Sequence, residues 1–405
     1  MPMPLEGIRV IDWTIWQQGP VSTAILGDLG ADVIKLEQAG VGDPGRGLMS
    51  AFGQSNQGDA PDFYVETNNR NKKGITLDLK NEAGCQVLRD LIAKSDVLAT
   101  NMRASAVERL GFDFETVHEL NSKLIYATAS GFGPKGPEAG RPSFDYLGLA
   151  RSGMMHSAGE PDDDPAGISA GIADQMGGVM LASGIVTALL ARERFGIGQK
   201  VDTSQLGSMS FLQGLSLGAS LLAGTSLPRV ARKKAGNPLW NHYRCRDGRW
   251  IAFAMLQPDR YWADFCRALE HEELIEDPHY VDLKVRAANA ESVIELFDQV
   301  FLERDRSEWL ERMDKAGDII FCPVNTVDDL ANDDEQMLAN GYIQELDHPE
   351  FGPTKMVGVP WTFSETPGSV RMPAPQLGQH TEEILMDVLG YDWDRISKLR
   401  EDGAI

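Results

Sequence analysis

The sequence predicts an α/β protein: a mostly parallel sheet with helices on both faces, then a smaller region of different character. Three observations carry this reading. Short β-branched runs recur through the first two hundred residues, helix-length segments separate them, and beyond about residue 225 the alternation stops. Strands alternating with helices of this length must cross over, so they build βαβ units rather than hairpins.

Taken in order, residues 7–12 and 31–37 are the first two strands. Between them 20–30 reads as a helix, with proline in its first turn and glycine at its end. A strand at 75–79, a helix at 81–94 and strands at 96–100 and 124–130 continue the pattern. Residues 174–195 form a long apolar helix rich in Gly and Ala, followed by a strand at 199–204 and one small-residue helix at 206–223. Then 242–254 reads as a hairpin turning at Asp247-Gly248. Three or four amphipathic helices run to about 317, residues 331–378 show little periodicity, and a final helix begins near Thr381.

Composition narrows the function. With 38 Lys and Arg against 60 Asp and Glu, the net charge of −22 disfavours DNA, RNA and anionic membranes as partners. A small phosphorylated ligand needs only a local basic pocket. The opening residues lack a basic segment followed by an apolar run, and no stretch reaches the roughly 18 uninterrupted apolar residues of a membrane span. Cys85, Cys245, Cys266 and Cys322 form no C-x-x-C pair and the seven histidines are scattered, so a reducing, cytoplasmic setting and no metal site are expected.

Two motif matches lack their context. The segment from Gly131 to Gly136 fits G-x-G-x-x-G, but Pro134, Pro137 and Pro142 break the helix that should follow. It reads as a Gly/Pro loop at the carboxyl edge of a sheet. Gly214 to Gly218 fits the nucleophile elbow G-x-S-x-G, yet its surroundings read as one helix with no strand before it. Asp174, at the head of the long helix, has two readings: a cap for orphan N–H groups, or a functional carboxylate beside Gly177 and Gly178, which leave the backbone open to a ligand. Basic residues gather in three places, Arg70-Lys72-Lys73, Arg103-Arg109 and Lys135-Arg141, each beside a strand end, as a phosphate site requires.

Several segments, in order and spacing, resemble the class III CoA transferases, the family of formyl-CoA transferase, carnitine CoA transferases and α-methylacyl-CoA racemase. They are PLEGIRVID from Pro4, LGADVIKLE from Leu29, GDP from Gly42, NRNK from Asn69, GITLDL from Gly74, GFG from Gly131, FDY from Phe144 and LGQHTEEIL from Leu377. The likeness covers essentially the whole chain. It implies Asp174 as nucleophile, forming an aspartyl-CoA thioester. It implies CoA contacts from Gln17, Gln18, Asn69, Arg70, Asn71, Lys72, Asn101, Arg103, Arg109 and Arg141, with Gly177, Gly178 and Phe144 toward the acyl group. Coenzyme A then comes and goes as acyl-CoA substrate, exchanging between small carboxylic acids, with no permanently bound cofactor. The fold implied is a Rossmann-like large domain (1–224 with 331–405) and a smaller α+β domain (225–330) in an interlocked homodimer. Some relatives instead pair with a paralogous chain. Gln38 stands where several relatives carry arginine, the segment 254–259 lacks the glycine run of formyl-CoA transferase, and Phe144 replaces the histidine of the racemase branch. An acyl-CoA racemase, a CoA-ester hydrolase or a CoA-binding subunit on the same scaffold are the alternative readings.

Overall fold

The computed structural model describes residues 1–48, 61–168, 170–332 and 334–405. They divide into two units: Met1–His156, Gly167–Ser226 and Gln336–Ile405 form the larger, Ser157–Ala166 and Leu227–Glu335 the smaller. The smaller thus gains 157–166, which the sequence reading left in the large domain. Arg229 is the reason: its guanidinium donates to the carbonyls of Ala158 and Asp163, 2.9 Å each.

In the larger unit the β-branched runs become β1 (Arg9–Trp13), β2 (Asp32–Gln38), β3 (Lys72–Leu77), β4 (Val97–Thr100), β5 (Ile125–Ser130) and β6 (Lys200–Ser204). Their order is β3-β2-β1-β4-β5-β6, every pairing parallel. Alternate residues serve opposite faces. Val10, Val33, Val97 and Ile125 join Leu26 of α1 (Gln18–Asp28) and Leu181, Ile185 and Leu189 of the long helix. Ile11, Ile34, Leu98 and Tyr126 join Val87, Leu88 and Leu91 of α2 (Glu82–Ala93) and the C-terminal Ile384, Leu385, Ile396 and Leu399. Each such fully buried side chain contributes about 1.5–3 kcal/mol. Both faces being covered, the central strands read as unbroken apolar runs.

The chain leaves β1 toward β3 on one side and returns through β4 on the other. A crevice opens between β1 and β4 at their carboxyl ends, where open parallel sheets bind ligands. The remaining helices of this unit are α3 (Asp145–Arg151), α4 (Ile172–Phe195), α5 (Gln205–Leu212) and α6 (Gly214–Ala223). The single helix expected at 206–223 is two, bent by 78°. α4 is longer than its apolar run suggested, and among the described residues it alone is long and apolar enough to cross a membrane. Half of that apolar window is buried, against the sheet and α1.

The outer edge of β3 is closed by the chain's own C-terminal segment. His380 N donates to Gly74 O at 2.9 Å, and Gly74 N donates to His380 Nδ1 at 3.1 Å. A ring nitrogen thus takes the place of a neighbouring strand's carbonyl, which blunts an edge that would otherwise pair with another chain. The segment 331–378 holds an antiparallel hairpin, β10 (Ile343–His348) and β11 (Gly352–Val357), that polar sequence concealed. A further helix, Trp393–Glu401, follows the one near Thr381.

The smaller unit has the expected hairpin, β7 (Trp240–Arg244) and β8 (Trp250–Ala254), extended by an unforeseen β9 (Phe321–Val324). Its core is aromatic: Tyr243 stacks on Phe301 at 4.9 Å, and Phe253, Phe265, Phe297 and Trp309 surround them.

Candidate active site

The turn after β1 is held by buried charge. Asp12, fully buried at the end of β1, takes the Lys72 ammonium at 2.8 Å and the Thr23 hydroxyl at 2.7 Å, and the Thr14 hydroxyl also donates to it. Lys35 on β2 donates to Thr14 O (2.6 Å) and pairs with Asp43 (2.9 Å). Asp43 in turn accepts from Trp16 N at 3.0 Å. From β4's end, Asn101 binds Ile15 twice, accepting from its N–H (2.8 Å) and donating to its carbonyl (2.7 Å). Those bonds hold Trp16 at φ +65°, a left-handed conformation that a bulky residue adopts only when its surroundings enforce it. Burial raises the Asp12 carboxyl, but Lys35 and Lys72 outweigh it and bring the pKa to about 2. Burial also drives Lys72 down to about 8 against the pull of Asp12.

Asp174 lies in the first turn of α4, two residues past its start, and does not cap the helix. The cap is supplied from α3: Asp145 Oδ1 accepts from Ala173 N (2.6 Å) and Asp174 N (3.1 Å). Those two N–H groups are therefore unavailable as oxyanion donors. Freed of capping, the Asp174 carboxylate is buried, 8% exposed, and Gln205 Nε2 donates to its Oδ1 at 2.5 Å. Ser143 orients that amide, its hydroxyl donating to Gln205 Oε1 at 2.6 Å. Burial pushes the Asp174 pKa up to about 6; the Gln205 bond opposes this and the charge of Asp145 adds to it. Among the described residues no Lys or Arg pairs with this carboxylate.

Gln17 and Gln18 reach this site from the head of α1. A Cβ on Gly171, itself at φ +71°, would lie 2.4 Å from Gln17 Oε1. Gln18 occupies the space above Gly177, where a Cβ would meet its Nε2 at 2.6 Å, and Val21 occupies that above Gly178, also at 2.6 Å. The paired glycines therefore admit α1, which packs closely against them. Phe144 is 57% exposed beside the site, edge-on to Trp16 at 5.5 Å.

The basic clusters separate. Arg70 is buried on Asp28 at 2.6 Å. Lys72 is 1% exposed, with the carbonyls of Pro20 and Asn68 and the Asn69 side chain as acceptors besides Asp12. Asn71, at φ +60°, donates to Asp28 and to Ser369 O and accepts from Arg371 N and Met372 N. Asn69-Arg70-Asn71-Lys72 is thus an internal knot at the amino end of β3, its side chains engaged with the protein's own groups rather than grouped in solvent. Arg103 and Arg109 follow β4, exposed and without an ion pair among the described residues. Arg141, paired with Glu138 at 3.0 Å, and exposed Lys135 lie in the loop after β5. These four remain at the carboxyl edge.

The G-x-S-x-G match falls on α6, with no strand before it. Among the described residues no three His, Cys, Asp or Glu side chains gather as a metal site. Sequence reasoning missed Gln205 and the capping role of Asp145. For Gln205 there was a signal: it directly follows β6, so it had to emerge at the carboxyl edge.

A profile of CoA-transferase family III matches residues 5–381. The chain is 30% identical over 404 residues to (R)-2-hydroxy-4-methylpentanoate CoA-transferase of Clostridioides difficile, covering 100% of both chains. It is 31% identical over 430 residues to formyl-CoA:oxalate CoA-transferase of Bradyrhizobium diazoefficiens, covering 100% of this chain and 98% of the relative. Among solved structures, a CAIB/BAIF family protein from Brucella suis superposes with a TM-score of 0.86 at 28% identity, over 96% of this chain and 100% of that one.

Proposed function

This chain belongs to CoA-transferase family III and is a CoA-transferase, and on that premise we propose that it moves coenzyme A between small or dicarboxylic acids through a thioester on Asp174. The observation that carries the reading is the state of that carboxylate: buried, with no cationic partner among the described residues, and held at one oxygen by Gln205. A structural aspartate in such a place would pair with a cation or cap a backbone, and Asp174 does neither.

The steps balance without net proton transfer. An Asp174 oxygen attacks the donor thioester carbonyl, and the C–S bond breaks with its electron pair leaving on CoA thiolate, giving a mixed anhydride. The thiolate then adds to the aspartyl carbonyl carbon and expels the donor carboxylate, giving aspartyl-CoA. An acceptor carboxylate attacks that thioester and releases thiolate, which takes the new acyl group from the second anhydride and restores Asp174. One hard exchange becomes several easier ones. Gln17, Gln18, Asn101 and Arg103 follow the carboxyl ends of β1 and β4, Arg141 lies in the loop after β5, and with Arg109 they are the groups we assign to CoA. Phe144 has no proton to exchange, which favours transfer over a racemase. The exposed leucines of α6 (Leu215, Leu217, Leu221 and Leu222) support the homodimer the resemblance implies, and the unpaired cysteines support a cytoplasmic setting.

Mixing protein and acyl-CoA without acceptor and adding hydroxylamine should modify one peptide, within residues 171–178. Asp174→Asn should bind acyl-CoA normally and lose transfer by a factor of about 10³ or more, the scale of a lost nucleophile. Trapping at another residue, or near-normal turnover by Asp174→Asn of verified mass, would overturn the assignment.

A further inference from the structure

We propose that Gln205 is a catalytic residue: its side-chain amide donates to the aspartyl oxygen of Asp174 that becomes an oxyanion each time thiolate or acceptor adds to the aspartyl carbonyl carbon. The inference rests on Asp174 being the nucleophile. It follows from which atoms already meet. Gln205 Nε2 lies 2.5 Å from Asp174 Oδ1, and both residues are buried, Gln205 only 3% exposed. When the other oxygen forms the anhydride, Oδ1 is left as the carbonyl oxygen. Addition of thiolate to that carbon forms a C–S bond and moves the C=O pair onto Oδ1. Collapse re-forms C=O and breaks the bond to the leaving carboxylate. Through both events the charge appears and disappears at the atom that Nε2 already contacts, which is the geometry of an oxyanion donor.

The amide is built into this role. A carboxylate only accepts, so it fixes the NH₂ end of Gln205 toward itself, and the Ser143 hydroxyl satisfies the other end at 2.6 Å. Two glycines make the room: a Cβ on Gly148 would meet Gln205 Cβ at 2.9 Å, and one on Gly131 would meet Ser143 Cβ at 2.2 Å. The helix N-terminus cannot substitute, because Asp145 has taken the N–H groups of Ala173 and Asp174.

Gln205→Ala and Gln205→Met should each lower kcat about 10²–10³-fold, the effect of deleting one oxyanion donor, with KM for acyl-CoA within about threefold. Methionine fills the space and presents no donor, so an equal loss in Gln205→Met separates the lost hydrogen bond from a cavity, whereas a carboxyl this close to Asp174 would keep its proton and still donate. Ser143→Ala keeps the donor and should lose about tenfold or less. In single-turnover mixing, the hydroxylamine-trappable aspartyl thioester should form more slowly in Gln205→Ala by the same factor as kcat. A kcat within threefold of the parent in the folded Gln205→Met protein, or thioester formation at the parental rate in Gln205→Ala, would overturn the role of Gln205 and leave Asp174 as nucleophile standing. Absence of any trapped species at Asp174 in the parent would overturn both.

Discussion

Asp174 carries a cost in stability that the thioester chemistry proposed for it would require. Its pKa is about 6 in the fold against an ordinary 3.8, so the folded state binds a proton more tightly than the unfolded chain. Below pH 3.8 both states are protonated and the group contributes nothing. Stability is lost as pH rises from there to 6, and above that the whole penalty, about 3 kcal/mol at 1.36 kcal/mol per pH unit, is present. Asp174→Asn keeps the shape and removes the charge. The variant should therefore be more stable than the parent by about 2–3 kcal/mol at pH 7.5 in urea titrations, with the gap closing by pH 4. The acid limb of the parent's kcat profile should fall near pH 6 rather than near 4. A variant less stable than the parent at pH 7.5 would mean that the carboxylate is a structural asset. The sequence placed the acid at the head of a long apolar helix and left two readings open, and the resemblance to the family chose between them. The cap was not legible, since the acid that supplies it comes from 28 residues earlier and only the fold brings it there.

At the scale of elements, periodicity located what was buried and missed what was not. β1, β2, β4 and β5 stand within two residues of expectation because apolar residues line both their faces, and β6, an edge strand of polar residues, because it directly follows the long apolar helix. β3 begins three residues before its expected start, at Lys72, whose charge hid the fact that its side chain is fully buried. The hairpin β10–β11 shows no hydrophobic alternation because its less exposed positions include Gln344, His348, Gly352 and Thr354. Gly177 and Gly178 show the limit of reading small residues: glycine next to a functional acid suggested an opening for ligand, and the second helix that fills it is far away in sequence. Gly178→Ala should cost about 1–3 kcal/mol of stability by overpacking against Val21, measured by thermal unfolding, with acyl-CoA affinity unchanged. Loss of affinity at parental stability would return the glycine to the binding surface.

Across the larger unit, one chain of buried ions joins its parts. Asp12 on β1, Lys72 on β3, Lys35 on β2 and Asp43 in the turn beyond meet beneath the loop that bears Trp16 and Gln17. Basic residues in an acidic protein invited a ligand interpretation, and three clusters could be counted from sequence. Which of them pointed inward depended on strand order. Lys72→Met should destabilise the protein by about 3–5 kcal/mol, because Asp12 is then left buried without its ammonium. The CoA-ester dissociation constant of the folded variant should stay within about threefold. A tenfold weaker complex at parental stability would instead make Lys72 a ligand contact.

The closure of β3 by His380 has a consequence in time. Gly74 and its partner are 306 residues apart, so during synthesis the sheet's edge leaves the ribosome long before its cover exists. At 5–20 residues per second that interval is roughly 15–60 s. Throughout it the nascent chain presents an open strand, rich in unpaired N–H and C=O groups, to every other chain on the polysome. Folding of the larger unit is therefore completed by its last-made segment. Until then the protein depends on whatever in the cell shields unfinished sheets.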